Sequence, residues 1–247
     1  MTNPTAPRYS RQILLKEWGS ESQRKLADTH FVVVGAGGIG SPTLLALAES
    51  GAGAITVIDA DVVEENNLPR QTLHTPARIG MNKAESAKIA LAELAPDVPV
   101  TAIGAWADES LLEKLLTPDS LLIDASDNSK TRHVTNRAAL KVHCRLVSAS
   151  AIRFSFQVAS FDFRTTSHPC YNCFYPEDDE VDVKAAQVGV FGAVTGMAGM
   201  AAASEAMKMA VGIPSLAGKL LIADTLAMKF DVMTLAEDPA CPVCHEH

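Results

Sequence analysis

The feature that most constrains this chain is a six-residue turn, Gly35-Ala36-Gly37-Gly38-Ile39-Gly40, set between a short apolar run at residues 31–34 and a helical pattern that continues to about Ser50. A strand that breaks into glycines and re-forms as a helix lets the backbone approach a phosphate closely, while the helix N-terminus favours its negative charge. Pro42 falls in the first helical turn, where a missing N–H costs nothing, so the helix start is marked independently of the glycines. A second apolar run at residues 55–58 ends in Asp59-Ala60-Asp61. Asp59 follows the turn by about 20 residues, where a carboxylate can accept hydrogen bonds from a ribose. Turn and acid together indicate a nucleotide without naming it. The alternatives are a turn that only packs helix on strand and an Asp59 that is a solvated strand end; Asp61 has no assignment at this level.

The alternation continues, with helical patterns at residues 83–94, 110–116 and 131–142 and strand patterns at 98–103, 121–124 and 146–150. Such alternation predicts an α/β fold, a Rossmann-like doubly wound, mostly parallel sheet covered on both faces. After Ser150 the pattern changes to runs at 154–163, 219–223 and 228–235, rich in aromatic and β-branched residues, which read as antiparallel strands extending that sheet. No Pro-, Gly- or Ser-rich linker separates the parts, so residues 1–247 are expected to form a single domain, with a nucleotide-binding half at about 28–150 and a second half at about 151–247. Residues 185–204 carry no charge and could in length cross a membrane, but Gly189, Gly192, Gly196, Gly199 and Ala201, Ala202 and Ala203 give little insertion energy. A buried helix with close neighbours is expected instead.

A formal charge of −8, with Glu177, Asp178, Asp179, Glu180 and Asp182 close together, argues against a nucleic-acid partner, which needs a cationic face. The polar N-terminus has no apolar signal core, so the expectation is a cytoplasmic protein, not a membrane protein, whose cysteines start out reduced.

Beyond Asp59 the sequence departs from a dinucleotide dehydrogenase: Asn66-Asn67-Leu68-Pro69-Arg70-Gln71 brings amides and a guanidinium, Lys83 follows, and Asp127-Asn128 lies past the strand that ends at Asp124. Ligands of doubly wound sheets bind beyond the carboxyl ends of the strands, so these side chains are expected to converge on the glycine turn. Two cations and a carboxylate beside a phosphate cradle suit phosphoryl chemistry, the carboxylate holding Mg²⁺. The plain alternatives are solvated charges for Arg70 and Lys83 and a helix cap for Asp127. Cys170-Tyr171-Asn172-Cys173 and Cys241-Pro242-Val243-Cys244 are two C-x-x-C pairs, the spacing of a structural tetrahedral Zn²⁺ site, with redox dithiols as the alternative. His168 and His245 are reserve ligands, and Cys144 reads as a small buried residue.

On these residues, together with Arg8-Tyr9-Ser10-Arg11-Gln12-Ile13-Leu14 and Ser126-Asp127-Asn128, nearly the whole chain resembles the ThiF/MoeB/HesA adenylyltransferases, bacterial relatives of the ubiquitin-activating enzymes. The stretches Arg70-Gln71-Thr72-Leu73-His74 and Ser150-Ala151-Ile152-Arg153 are most similar to the molybdopterin-synthase adenylyltransferase branch, with the thiamine-pathway branch next. The resemblance implies that ATP is bound at Gly35, Gly37, Gly38 and Gly40, with Asp59 on the ribose, Asn67, Arg70 and Lys83 on the phosphates and Asp127 on Mg²⁺. It implies a homodimer in which Arg11 reaches the partner subunit's ATP, and a second half that binds a carrier and zinc. The implied reaction is adenylation of the C-terminal glycine of a small ubiquitin-like sulfur carrier ending in Gly-Gly, with release of pyrophosphate. The two rival readings are a carrier-binding scaffold without turnover and an NAD-dependent oxidoreductase. Several relatives carry a cysteine where Ala185 stands here, so a covalent carrier step is not expected. The sequence ends at the second cysteine pair, so a separate sulfur donor protein is expected.

Overall fold

A computed structural model of the protein describes residues 5–165, 169–177 and 188–245. Two short N-terminal helices, α1 (Ser10–Ile13) and α2 (Gly19–Ala27), precede the regular alternation. It runs β1 (His30–Val34), α3 (Gly40–Ser50), β2 (Ala54–Ile58), α4 (Lys83–Leu94), β3 (Val100–Ile103), α5 (Glu109–Leu115), β4 (Leu121–Asp124), α6 (Ser129–Val142) and β5 (Arg145–Ile152). Then come β6 (Ser155–Asp162), the long helix α7 (Gly192–Val211), β7 (Lys219–Asp224) and β8 (Lys229–Thr234).

All eight strands form one sheet in the order β3-β2-β1-β4-β5-β6-β7-β8. The first five are mutually parallel, and β6, β7 and β8 add on as antiparallel neighbours. Strand β1 shows why both faces are covered, because alternate side chains point to opposite sides. Phe31 and Val33 enter one core with Leu44 and Leu47 of α3, Leu91 of α4 and Val194 and Ala202 of α7. Val32 and Val34 enter the other with Leu112 of α5, Ala138 of α6 and the buried Cys170 and Cys241. Residues 192–204 of the uncharged Gly/Ala stretch belong to α7, which buries one face (Val194, Ala198, Ala202) and leaves Met200 exposed on the other, and its composition follows from close packing on α3. A Cβ on Gly199 would stand 2.4 Å from the Ile39 carbonyl oxygen and 2.5 Å from Pro42 Cγ. Instead, Thr43 Oγ1 donates to the Gly199 carbonyl at 3.0 Å. Among the described residues, no helix is long and apolar enough to cross a membrane.

Candidate nucleotide site and cysteine cluster

The carboxyl ends of β1, β2 and β4 open into one cavity of about 800 Å³. At its centre the glycine turn joins β1 to α3. Two of its glycines are dictated by geometry: Gly35 has φ +96°, with a Cβ position 2.8 Å from the Ala125 carbonyl oxygen, and a Cβ on Gly40 would lie 1.9 Å from the Gly35 carbonyl oxygen. Gly37 differs, since a Cβ there would meet nothing closer than Gln71 Nε2 at 3.6 Å, and it lines the cavity. Gly38 also lines it, and a Cβ there would stand 3.0 Å from Thr195 Oγ1. The Ala36 peptide is clamped from both sides. Its N–H donates to Asp59 Oδ2 at 2.7 Å, and its carbonyl accepts from Ser41 Oγ at 3.2 Å and from His74 Nε2 at 2.9 Å. Nε2 therefore carries the ring hydrogen, and Nδ1 accepts from Ser86 Oγ at 2.9 Å. Burial lowers the His74 pKa, and Lys83 and Arg78 lower it further against the opposing bond to Ala36, which keeps the ring neutral.

At the end of β2, Asp59 also accepts the Asp61 N–H on Oδ1 at 2.9 Å. Burial raises its pKa, opposed by the Ala36 N–H and the Lys83 charge. The Lys83 ammonium itself pairs with Asp61 Oδ2 at 2.9 Å, the lysine side chain being 9% exposed and the aspartate 51%. Asn82 caps α4 by accepting from Ala84 N, and its amide donates to the Asp59 carbonyl at 2.8 Å, so the helix start and the strand end are fixed together. Asn67 is buried and uses its amide locally, accepting from Glu64 N at 3.2 Å and donating to Asn66 Oδ1 at 2.6 Å. Arg70 lines the cavity and donates to the Asn66 carbonyl at 2.9 Å.

At the end of β4, Asp124 is fully buried and accepts from Ser126 N at 2.9 Å and Thr135 Oγ1 at 3.1 Å. Burial raises its pKa, with Arg132 opposing. Asp127 is exposed and lines the cavity, with no hydrogen bond or ion pair among the described residues. It is not the cap of α6: Asn128 is, accepting from Thr131 N at 2.9 Å. The cavity extends over Ser150, Gln157, Tyr171 and Tyr175, whose hydroxyl donates to Gln157 Oε1 at 2.9 Å. Arg11 lies exposed on α1 and does not line the cavity. Ala185 and His168 lie outside the described residues.

Both cysteine pairs meet under the second core. The Sγ atoms of Cys170, Cys173, Cys241 and Cys244 all lie within 4.8 Å of one another, with Cys170 to Cys241 at 3.8 Å, Cys173 to Cys170 at 3.9 Å and Cys173 to Cys244 at 3.5 Å. A tetrahedral ZnS₄ centre with Zn–S of about 2.3 Å requires S to S distances of about 3.8 Å, so these thiols fit structural zinc. The Asn172 amide donates to Cys241 Sγ at 3.5 Å and Cys170 N to Cys173 Sγ at 3.3 Å, outer-shell donors of the kind that support thiolate ligands. Burial acts to raise the Cys241 pKa, but the N–H groups of Cys244 and Val243 and the Asn172 amide outweigh it and bring it to about 7. His245 Nε2 sits 3.1 Å from Glu237 Oε1. Cys144 is buried apart from the cluster, its thiol pushed up to about 12 chiefly by burial.

A family model described as "ThiF family" matches residues 9–243. The chain belongs to the ThiF family. Among curated relatives, it is 38% identical over 248 residues to the adenylyltransferase and sulfurtransferase MOCS3 of Drosophila virilis, covering 99% of this chain and 55% of that protein. It thus spans about half the length of that relative. It is 38% identical to the SAMP-activating enzyme E1 of Haloferax volcanii, over 97% of this chain and 88% of that one. To the molybdopterin-synthase adenylyltransferase of Salmonella typhimurium it is 36% identical, over 96% and 95% respectively. The crystal structure of E. coli MccB with ATP superposes with a TM-score of 0.83 at 24% identity, covering 98% of this chain and 75% of that one, a likeness of fold.

Three groups in this ThiF-family chain carry weight that sequence reasoning did not assign. His74 was visible only as the end of a similar stretch, and its bond to the turn depends on the path of residues 71–86. Gln71 is buried at the cavity with Oε1 lacking a hydrogen-bond partner among the described residues. Asp124 marked a strand end, but its pairing with Thr135 and Arg132 needs α6 to fold back over β4; a polar residue ending an otherwise apolar strand was the available signal.

Proposed function

We propose that this chain is an ATP-dependent adenylyltransferase that activates the C-terminal glycine of a small ubiquitin-like sulfur carrier ending in Gly-Gly. The observation that carries this reading is the common cavity of the glycine turn, Arg70, Lys83 and an exposed Asp127 with no hydrogen bond or ion pair among the described residues. The N–H groups of Gly37 and Gly38 and the positive end of α3 hold the phosphates, and Arg70 and Lys83 offset their charge. Asn67, which lines the same cavity, contacts the phosphates beside them, and Asp59 takes the ribose while fixing the Ala36 peptide. An exposed carboxylate with no cation partner among the described residues suits Mg²⁺, so Asp127 would hold it, and the metal would supply charge neutralisation at the phosphates.

A carboxylate is already a nucleophile at neutral pH, so positioning rather than proton transfer is the task. A carrier carboxylate oxygen bonds to the α-phosphorus, the bond to the bridging oxygen breaks, and pyrophosphate leaves with that electron pair. The carrier tail enters along Ser150, Gln157, Tyr171 and Tyr175, while Arg11 completes the partner subunit's site in a homodimer. Cys170, Cys173, Cys241 and Cys244 would hold zinc as a structural centre. The carrier is of the molybdopterin or thiamine type, and the reaction takes place in the cytoplasm.

The test is ATP–pyrophosphate exchange with Mg²⁺ and each carrier type in turn. Exchange dependent on one carrier is expected, and Asp127→Ala should abolish it while leaving unfolding free energy within about 0.5 kcal/mol of wild type. Folded, zinc-loaded protein that binds ATP but exchanges with neither carrier would favour a scaffold instead.

A further inference from the structure

The cavity has a direction set by the sheet. The turn that suits phosphate ends β1, Asp59 that suits ribose ends β2, and β3 is the next strand outward. A nucleotide laid with phosphates at β1 and ribose at β2 carries its base to the end of β3. There the chain runs Gly104-Ala105-Trp106-Ala107 before α5, and Ala105, Trp106 and Ala107 line the same cavity, as does Ala60 beyond Asp59.

Trp106 is 72% exposed and belongs to neither apolar core, so its packing within the chain does not account for it. The other tryptophan of the chain, Trp18, is an ordinary structural one, partly buried against the first core with Nε1 donating to Gln23 Oε1 at 3.1 Å. An exposed indole gains most by covering a second flat π-system, and base–aromatic stacking is a recurrent source of nucleotide affinity. Its neighbours at the cavity wall, Ala60, Ala105 and Ala107, are small enough to leave a planar ring room beside it.

We propose that Trp106 is the base-stacking wall of the nucleotide site, with the purine of ATP lying against the indole face. The inference rests on the ATP reading above and deepens it. Stacking is tolerant of base identity, so Trp106 supplies purine affinity rather than the choice between adenine and guanine.

The experiment uses the two tryptophans separately. In Trp18→Phe, Trp106 is the sole indole, and ATP should quench its fluorescence with a saturation curve that matches calorimetric binding; in Trp106→Phe the quench should vanish while ATP affinity falls no more than about threefold. Trp106→Leu, apolar but not aromatic, should weaken ATP about tenfold, raise the KM for ATP in exchange by the same factor and recover at saturating ATP, with the carrier KM unmoved. Calorimetric ATP binding without a quench in Trp18→Phe, and with wild-type affinity in Trp106→Leu, would overturn the role of Trp106 and leave the ATP reading standing. A rise in carrier KM alone would overturn it in favour of a protein contact. No calorimetric ATP binding by folded wild type would overturn both readings.

Discussion

Replacing His74 by Leu keeps a side chain of similar bulk but removes both ring nitrogens from between the glycine turn and α4. Two net hydrogen bonds are lost, each worth about 0.5–1.5 kcal/mol. The Ala36 carbonyl keeps Ser41 Oγ at 3.2 Å, whereas the fully buried Ser86 hydroxyl loses its only hydrogen bond among the described residues. With the cost of one orphaned buried hydroxyl added, the expected loss is about 2–4 kcal/mol in urea unfolding near neutral pH. The pH dependence gives an independent check. The folded-state pKa of His74 lies below its ordinary value of 6.5, chiefly through burial, so the unfolded chain binds the proton first as pH falls. Stability from neutral His74 is complete above about pH 6.5 and declines below it, until the folded ring also protonates. The gap between wild type and His74→Leu should therefore narrow between about pH 7.5 and pH 5.5. A loss under about 0.5 kcal/mol, or a gap that stays constant with pH, would refute the clamp. His74→Gln, whose Nε2 can reach a carbonyl in the same sense, should recover part of the stability and of the ATP affinity.

The two kinds of glycine in the turn should separate experimentally. Gly40→Ala, whose Cβ would sit 1.9 Å from the Gly35 carbonyl oxygen, should lose more than about 3 kcal/mol of stability or fail to accumulate as soluble protein. Gly37→Ala should unfold like wild type and instead lose about tenfold or more in ATP affinity by calorimetry. Cys241→Ser should lower the zinc content and reduce Tm on the order of 10 °C in a thermal melt. If Arg11 acts across a dimer, Arg11→Ala and Asp127→Ala should each be inactive alone, but re-associated mixtures should regain up to about a quarter of wild-type exchange.

Much of this was legible because local rules and global fold agree. Residues 83–94 and 121–124 coincide with α4 and β4 since their boundaries are set by a cap and by apolar runs that no tertiary contact overrides. The glycine turn was legible because φ and close approach act on single residues, and the four cysteines because tetrahedral chemistry constrains their spacing. What escaped were contacts made by the path of irregular backbone. Asp61 rather than Asp59 forms the Lys83 ion pair, an outcome of a turn in which Asp59 is already occupied by two backbone N–H groups. Asn67 lines the cavity, but the hydrogen bonds by which its side chain closes the turn at residues 64–67 could not be read from the sequence. The short helices α1 and α2 lacked a clean period, and the path of the chain between Pro69 and Lys83, where His74 sits, had no periodic signal to follow.

The packing of α7 on α3 bears on how the molecule can be made. All five parallel strands come from an unbroken piece of chain ending at Ile152, so a ribosome delivers the nucleotide-facing sheet first. Val194, Ala198 and Ala202, which cover one of its faces, arrive about fifty residues later. Until then the growing chain holds a nearly finished sheet with an apolar side open to water, the condition in which nascent proteins recruit chaperones or stick to one another. Cutting the gene near residue 152 would freeze that stage, and the fragment should aggregate despite containing every strand of the parallel sheet.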